Sequence, residues 1–191
     1  MATWRRKPKS ATVVLSGLAR NRLPEVSLRV LGFMQASHVE VNVFHCSAAI
    51  SACEKAHKWQ LAVDLLQTMS DTRVAADQIC YNAAMSACEK GGQWQLALSL
   101  LSLMPEERVV PNAISYNAAI SACKKAGLWQ LALKLLSLMP GVGVTPDEIT
   151  YNTAISACEK RGQWQLALTL LRLMPEARVV PSEITCSATI S

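Results

Sequence analysis

Apolar residues along this chain follow two helical patterns that alternate. The first is clear in residues 78–112, where four apolar side chains are spaced as i, i+3, i+4 and i+7. This spacing places them on one side of an α-helix. The stripe consists of Tyr81, Ala84, Met85 and Cys88. It predicts a first helix that is buried along a single face.

A second helix is predicted after the glycine pair Gly91 and Gly92, which interrupts the first. Its apolar residues form two stripes rather than one. A helix that is apolar on two sides must be covered on two sides, as happens when repeats stack. One stripe is Trp94, Ala97, Leu98, Leu101 and Met104, and the other is Leu96, Leu100 and Leu103.

Prolines and small polar residues predict where these helices begin and end. Pro105 cannot donate a helical hydrogen bond, so we expect the second helix to stop at Met104. Later prolines hold the linker extended, and hydroxyl residues that follow are candidate N-caps of the next first helix. The stop signals are Pro105, Pro140 and Pro175, the linker prolines are Pro111, Pro146 and Pro181, and the candidate N-caps are Ser115, Thr150 and Thr185.

The two-helix pattern repeats every 35 residues, and residues 78–112 and 148–182 are identical at 26 of 35 positions. One repeat cannot bury its apolar faces alone, whereas several stacked repeats build a continuous core. The sequence therefore predicts four whole repeats and a truncated one. Their bounds are 43–77, 78–112, 113–147, 148–182 and 183–191, and the markers of the period are Trp59, Trp94, Trp129, Trp164, Cys53, Cys88, Cys123, Cys158, Tyr81, Tyr116 and Tyr151.

Residues 8–42 fit the same register less well, since Pro24 stands where Trp59 stands one period later. The first 22 residues carry six cations and no acid, a composition that also suits an organelle transit peptide. We favour a degenerate repeat over 8–42, with residues 1–7 as a basic tail that could belong to such a peptide. The reason is the apolar second-helix pattern of Val26, Leu28, Val30 and Leu31.

Composition and net charge narrow the class of protein. The chain is 51% apolar with few aromatic residues, which suits helices more than sheets. Its net charge is +5, but the six cations of the first 22 residues leave −1 for the remainder, so charge alone does not predict a nucleic-acid partner. No apolar run approaches the roughly 20 residues that span a bilayer, so we expect a soluble protein.

A repeated set of polar residues lies on another face of each first helix. At positions i, i+4 and i+8 every repeat has an amide or hydroxyl residue, then serine, then a cation, and stacking would align these sets into a polar track. The alternative is that the cation favours the helix dipole and the polar residues cap the helix. The sets are Thr12-Ser16-Arg20, Ser47-Ser51-Lys55, Asn82-Ser86-Lys90, Asn117-Ser121-Lys125 and Asn152-Ser156-Lys160.

These residues resemble the pentatricopeptide repeat family, well over 43–191 and weakly over 8–42. The matching string runs from Pro146 to Asn152, with Gly162 between the helices and Met174 near the end of the second. The resemblance implies an all-α fold, a right-handed α-solenoid of stacked helix-turn-helix repeats. It also implies binding of single-stranded RNA, about one base per repeat.

The resemblance assigns roles to particular residues. The base-reading pairs would be Thr12 with Asn42, Ser47 with Asp77, Asn82 with Asn112, Asn117 with Asp147, and Asn152 with Ser182. Family preferences translate them as A, G, a pyrimidine, U and C. The base-sandwiching residues would be Phe44, Ile79, Ile114, Ile149 and Ile184, for which packing between repeats is the alternative, and the phosphate-side cations would be Arg20, Lys55, Lys90, Lys125 and Lys160.

No catalytic or metal-binding pattern accompanies the repeats. His38-Val39-Glu40 has the H-x-E spacing of zinc deaminases, but no P-C-x-x-C follows. The seven cysteines mostly obey the period, which indicates packing of reduced thiols rather than bridges. We therefore expect a protein that is not an enzyme and needs neither cofactor nor metal.

The function predicted from the sequence is selective RNA binding in the processing, stability or translation of a mitochondrial or chloroplast transcript. The rival is a helical scaffold that binds other proteins. The sequence ends partway through a first helix with an apolar stripe. This suggests a fragment of a longer array, a truncated gene, or an oligomer formed through its terminal repeats.

Overall fold

The computed structural model describes residues 8–180 of the chain. Its secondary structure over these residues consists of ten α-helices and one short 3₁₀-helix, with no β-strand. The prediction of an all-α chain of helix pairs is confirmed. The helices belong to two compact units, Met1–Gly91 (unit 1) and Gly92–Ser191 (unit 2).

Unit 1 holds five helices, in which first and second helices alternate. The first helices α1, α3 and α5 pack in sequence, α1 on α3 and α3 on α5, while the second helices α2 and α4 each contact α3. The bounds are α1 Pro8–Arg20, α2 Pro24–Ala36, α3 Val43–Lys55, α4 Trp59–Asp71 and α5 Gln78–Lys90.

Unit 2 continues the alternation, beginning with a second helix. The first helices α7 and α9 pack on one another, α8 contacts both, and α6 and α10 contact α7 and α9 respectively. The bounds are α6 Trp94–Glu106, α7 Ala113–Ala126, α8 Trp129–Leu138, α9 Glu148–Glu159 and α10 Trp164–Glu176, with the 3₁₀-helix at Pro140–Val142.

The first helices α3, α7 and α9 begin at capping boxes, and the N-caps of α7 and α9 lie three residues before the predicted ones. Asn112 Oδ1 accepts the Ser115 amide hydrogen at 3.1 Å, and Ser115 Oγ accepts the Asn112 amide hydrogen at 3.2 Å. Asp147 and Thr150 form the same reciprocal pair. Ser115 and Thr150 are therefore wrong as N-caps, because they already occupy the third helical position and are fully buried. Thr185 lies outside the described residues.

Proline does not end the second helix where the sequence predicted. Helices α6 and α10 both include their proline and end one residue after it, whereas α8 ends at Leu138, before its proline. Near the end of a helix a proline costs little more than the one hydrogen bond that its missing amide hydrogen cannot donate. The carbonyl of Pro105 still accepts the Arg108 amide hydrogen at 3.0 Å. The predicted stop at Met104 is thus wrong by two residues.

Each helix pair turns through residues in the left-handed region, one after the first helix and one after the second. Glycine adopts this region at no steric cost, whereas other residues are strained there. The turn after the first helix uses Arg22, His57, Gly92, Gly127 and Gly162, and the turn after the second uses His38, Arg73, Arg108, Gly143 and Arg178.

The core follows the predicted first-helix stripe closely. Every residue of the stripe in α5 is buried, and the equivalent alanine and cysteine positions of α3, α7 and α9 are almost completely shielded. The second-helix pattern is only partly correct. Ala97, Leu101 and Met104 are buried, but Leu103 of the second stripe is 37% exposed. The outer side of the second helices therefore faces away from the core.

Candidate nucleic-acid interface

The polar sets of the first helices lie at the surface in both units. None of their side chains is buried in the described part of the chain, and Arg20, Lys55, Lys125 and Lys160 are exposed. The apolar stripe of each first helix turns these positions outward, because the two sets occupy different faces of the same helix.

In unit 1 the polar sets of α1 and α3 share one groove of about 330 Å³. The groove brings together five residues that the sequence assigned to base reading, base sandwiching and phosphate contact. Its cationic end has Arg20 and Lys55 from neighbouring helices. The lining includes Thr12, Ser16, Arg20, Phe44, Ser47, Ser51 and Lys55.

In unit 2 the predicted base-reading pair Asn117 and Asp147 meets directly. Asn117 Nδ2 donates a hydrogen bond of 3.3 Å to Asp147 Oδ1, although 30 positions separate the two residues. The carbonyl oxygen Oδ1 of Asn117 is buried and has no hydrogen-bond partner in the structure. A buried acceptor without a partner costs roughly 1–3 kcal/mol, which a ligand donor could offset.

The carboxylate of Asp147 is held in its charged form. Burial by itself raises the pKa of this group, but hydrogen bonds from Thr150 and Asn117 outweigh burial, so the pKa lies below its usual value. The Thr150 amide and hydroxyl both donate to Oδ1, at 2.8 and 2.7 Å. Asp147 therefore remains an acceptor near neutral pH.

In four of the five predicted base-reading pairs the second member is also a helix N-cap, a role that the sequence did not predict. Asn42, Asp77, Asn112 and Asp147 all accept an amide hydrogen through Oδ1 from the residue three positions later. The Asn42 amide hydrogen is in turn accepted by Nδ1 of the buried His45 imidazole, at 3.2 Å. For Asn112 and Asp147 the signal was present as Asn or Asp three residues before Ser or Thr. Ser182 lies outside the described residues.

The predicted base-sandwiching residues are not packed between repeats. Phe44, Ile79, Ile114 and Ile149 are 60% to 63% exposed. These fractions argue against inter-repeat packing as their main role. Ile184 lies outside the described residues.

The cations predicted to contact phosphates differ in their partners. Lys90 Nζ lies 2.8 Å from Glu54 Oε1 of the preceding first helix, and Ser86 Oγ donates to the same oxygen at 3.0 Å. Lys55 and Lys160 form no ion pair within residues 8–180. The sequence placed Glu54 beside Lys55 but did not reveal that its carboxylate reaches forward to the next repeat.

Within residues 8–180 the remaining titratable groups do not assemble into a second site. Six cysteines are buried free thiols, and burial raises the pKa of Cys80 to about 12. His38 lies in a left-handed turn and Glu40 in the linker that follows. Among the described residues no three His, Cys, Asp or Glu side chains are grouped to hold a metal. None of the helices described is both long and apolar enough to cross a membrane.

Comparison with known sequences identifies the family. Residues 76–125, 111–159 and 146–191 match the PPR repeat family, and residues 29–91 match the pentatricopeptide repeat domain. These matches together cover far more than half of the chain. The chain therefore belongs to the pentatricopeptide repeat family. No curated protein matches it.

Solved structures of the family share its fold. The PPR domain of protein-only RNase P 1 from Arabidopsis thaliana, in complex with tRNA, aligns with a TM-score of 0.77 and 14% identity over 91% of each chain. Nuclear proteinaceous RNase P 2 from the same plant aligns with a TM-score of 0.79 and 11% identity, over 94% of this chain and 40% of that one.

The maize pentatricopeptide repeat protein PPR10 is a third similar structure. Its complex with an 18-nt psaJ RNA element aligns with a TM-score of 0.67 and 17% identity. The alignment covers 94% of this chain and 31% of that one. Identities this low show a common fold and nothing finer.

Proposed function

We propose that this chain binds single-stranded RNA along its first helices, with about one base contacted by each repeat. The observation that carries the proposal is the contact between Asn117 and Asp147, 3.3 Å apart on the polar face of unit 2. A polar pair of this kind can bind the edge of one base. The unpartnered carbonyl oxygen of Asn117 favours a ligand that supplies a hydrogen-bond donor.

Helix capping supports a definite chemistry at the second position of the pair Asn117 and Asp147. Oδ1 of Asp147 accepts from the helix N-terminus, so the second carboxylate oxygen, Oδ2, is the acceptor that can face a base. Uracil carries a donor at N3, where cytosine carries an acceptor. Asp147 therefore suits U.

The full order of bases rests on the resemblance to the family. We propose A, G, a pyrimidine, U and C, read 5′ to 3′. The pairs in that order are Thr12 with Asn42, Ser47 with Asp77, Asn82 with Asn112, Asn117 with Asp147, and Asn152 with Ser182.

Exposed apolar and cationic residues supply the remaining contacts of the proposed interface. Phe44 lines the groove of unit 1 beside Thr12 and Ser47, where its ring can stack on a base. Ile79, Ile114, Ile149 and Ile184 would play the same part in their repeats. The cations Arg20, Lys55, Lys90, Lys125 and Lys160 would contact phosphates, whose binding weakens with salt.

The RNA complexes of the similar proteins support the same function. The RNase P 1 domain was solved with tRNA, and PPR10 with an 18-nt RNA element. We propose a binding role rather than catalysis, in a mitochondrion or chloroplast, acting on the processing, stability or translation of a transcript. The basic tail of residues 1–7, with three cations and no acid, supports organelle targeting.

A second candidate function is docking of another protein on the second helices. Leu103, Leu138 and Leu173 occupy the same position of α6, α8 and α10 and are 37%, 47% and 41% exposed. A row of exposed leucines is unusual on a surface that meets only water. These leucines lie on the second helices, whereas the proposed RNA-binding residues lie on the first helices or at their N-caps.

Substitution of Asn117 by serine tests the base-reading proposal. Asn117→Ser makes the pair identical to Ser47 with Asp77, so the preference at that base should change from U to G. The measurement is selection from a random RNA pool, followed by competition between oligonucleotides that differ at one base. Asn21→Ser, in the turn after α1, is the matched control and should leave the selected sequence unchanged.

Two outcomes would contradict the proposal. The first is failure of the wild-type chain to retain any RNA from the pool. The second is a selected sequence that is the same for wild type and Asn117→Ser. Binding of a protein partner in place of RNA would instead support the scaffold function.

A further inference from the structure

Several departures from the repeat meet at one place in unit 1, a cavity of about 190 Å³ between α2 and α4. Cys46 of α3 lines this cavity. We propose that the cavity binds a small aromatic amine, with its ring inside and its ammonium group at the rim. The site is separate from the proposed RNA-binding residues, none of which lines it. At the position of Cys46 the helices α5, α7 and α9 carry the buried tyrosines Tyr81, Tyr116 and Tyr151.

The interior of the cavity suits a single aromatic ring. Its walls include the buried aliphatic side chains of Leu31 and Leu65. An apolar cavity of about 150 Å³ is large enough to bind benzene. In the other repeats a ring attached to the chain extends from the position that Cys46 occupies here. A free ring can therefore fill the space that the cysteine leaves.

Gly32 of α2 provides an opening to this interior. It lines the cavity and is exposed, and a Cβ there would meet no neighbouring side chain within 4 Å. The missing side chain leaves an entry path beside α2. The equivalent positions of the other second helices hold larger residues, namely Gln67, Ser102, Ser137 and Arg172.

Hydrogen-bond acceptors from α4 lie at the rim. Thr68 Oγ1 donates to the Asp64 carbonyl oxygen at 2.8 Å, and Thr72 Oγ1 donates to the Thr68 carbonyl oxygen at 2.7 Å. Both hydroxyl groups have thus used their hydrogen and keep only acceptor capacity. Among the described residues that line the cavity, Asp64 alone is charged, and its carboxylate forms no ion pair within residues 8–180. An ammonium group carries the opposite charge and three donors, so it matches this rim.

The acceptor rim is as specific to this repeat as Cys46 is. Leucine stands at the position of Thr68 in each of the later second helices, and no carboxylate stands at the position of Asp64. The space for a ring and the acceptors for its amine therefore occur together. The equivalents of Thr68 are Leu103, Leu138 and Leu173, and those of Asp64 are Ser99, Lys134 and Thr169.

Benzylamine is the probe for this site, with benzyl alcohol as a neutral molecule of the same shape and propylamine as an amine without a ring. Binding is measured by NMR of methionine methyl groups. Met69 lines the cavity, whereas Met139 is buried at the equivalent position of unit 2. The ring current of benzylamine should shift the Met69 signal and leave Met139 unchanged, with a dissociation constant of about 1 mM for so small a ligand. Propylamine should shift neither.

Substitutions that fill the cavity test where the ring binds. Cys46→Tyr supplies a ring from the chain itself, and Gly32→Leu blocks the opening, so each should abolish the shift of Met69 by benzylamine. Gly17→Leu is the matched control in α1, where a Cβ also meets open space but lies outside the cavity. This variant should bind benzylamine as the wild type does. Thermal melts confirm that each variant is folded.

A second pair of substitutions tests the ammonium contact. Wild type should bind benzyl alcohol about threefold more weakly than benzylamine, as expected for an exposed ion pair. Asp64→Asn should remove this difference. Asp71→Asn is the control, because Asp71 is an exposed residue of the same helix that does not line the cavity, and it should preserve the difference.

The proposal is supported if the Met69 shift disappears in both filled variants and persists in Gly17→Leu. It is overturned if benzylamine leaves Met69 unshifted, if it shifts Met139 equally, or if Cys46→Tyr still responds. Equal affinities of wild type for benzylamine and benzyl alcohol would overturn the assignment of an amine. RNA selection is a separate measurement, so failure of this site leaves the proposed RNA binding intact.

Discussion

Units 1 and 2 are built from the same helix pair but differ at a few positions. In both, the first helices bury alanine, cysteine and a large aliphatic side chain at equivalent positions, such as Ile50 in α3 and Ile120 in α7. The differences lie where a side chain reaches another repeat or a turn. Each helix pair thus keeps the buried residues that its own packing requires, whereas the residues that contact another repeat differ from one repeat to the next.

The largest packing difference is at the tyrosine position of the first helix. Tyrosine is buried at this position in α7 and α9 of unit 2 (Tyr116 and Tyr151) and in α5 of unit 1 (Tyr81), whereas Cys46 takes the equivalent place in α3 of unit 1. Cys46 lines a mostly apolar cavity of about 190 Å³ between α2 and α4, which Gly32 also borders. Loss of the ring therefore leaves space that the neighbouring helices do not fill.

Single substitutions at the tyrosine position, Tyr151→Cys and Cys46→Tyr, should have the largest effect on the free energy of unfolding. Tyr151→Cys removes a buried ring and should cost about 2–4 kcal/mol, while Cys46→Tyr fills the cavity and should add about 1 kcal/mol. Urea unfolding followed by hydrogen exchange locates each change in its unit. A destabilising Cys46→Tyr would show that the cavity has the wrong shape for the ring.

Removal of the N-caps should have the next largest effect. Asp147 accepts both the amide and the hydroxyl of Thr150, whereas Asp77 accepts the amide and the weakly donating thiol of Cys80. Asp147→Ala should therefore cost up to about 2 kcal/mol, and Asp77→Ala about 1 kcal/mol. Thermal melts measure both. Equal losses would contradict the role of the threonine hydroxyl.

Substitutions in the left-handed turns should have smaller effects on stability, and the effects should have opposite signs in the two units. His57 has a φ of 58° in unit 1, where unit 2 has Gly127 with a φ of 71°. His57→Gly should stabilise unit 1 by about 0.5–1 kcal/mol by removing strain. Gly127→Ala should destabilise unit 2 through backbone strain, because alanine rarely adopts this positive φ. Melting temperatures of the two variants should move in opposite directions.

The buried thiols should give the smallest difference in stability between the units near neutral pH, because they ionise only at higher pH. Burial raises the pKa of Cys53 and Cys88 to about 11 and that of Cys80 to about 12, from a usual 9.0. Because unfolded thiols ionise first, the folded chain binds more protons between pH 9 and 11, and its stability falls as the pH rises through that window. Below pH 9 the contribution is fully present.

Unit 1 should lose stability before unit 2 in this range. It holds four of the six described thiols, Cys46, Cys53, Cys80 and Cys88. Pulsed alkylation at pH 8 to 10, normalised to the denatured chain at each pH and read by peptide mass, reports each cysteine separately. Labelling of Cys123 and Cys158 ahead of the unit 1 thiols would reverse the expected order.

The fold was predictable because its signals are local and repeated. The stripe of Tyr81, Ala84, Met85 and Cys88 lies within one helix, and burial in the structure agrees with it. The N-caps were misplaced because Ser115 and Thr150 have the right chemistry at the wrong position. Only the backbone shows that Asn112 and Asp147 are still extended while the residues after them are helical.

The candidate site was predictable as a set of residues but not as a set of contacts. The sequence paired Asn117 with Asp147 through family resemblance, and the structure places them within hydrogen-bond distance. It did not predict that Glu54 binds Ser86 and Lys90. This contact spans two repeats, where a charge has several partners within reach and their geometry selects one.

The amino-acid sequence by itself determined the period, the alternation of first and second helices and the face that each helix buries. These properties follow from hydrophobic spacing along a single helix, which neighbouring residues set directly. Tertiary structure decided which polar atoms cap a helix, that Lys90 pairs with Glu54, and that a cavity remains beside Cys46. Those outcomes depend on distances between side chains of different helices, which stacking alone defines.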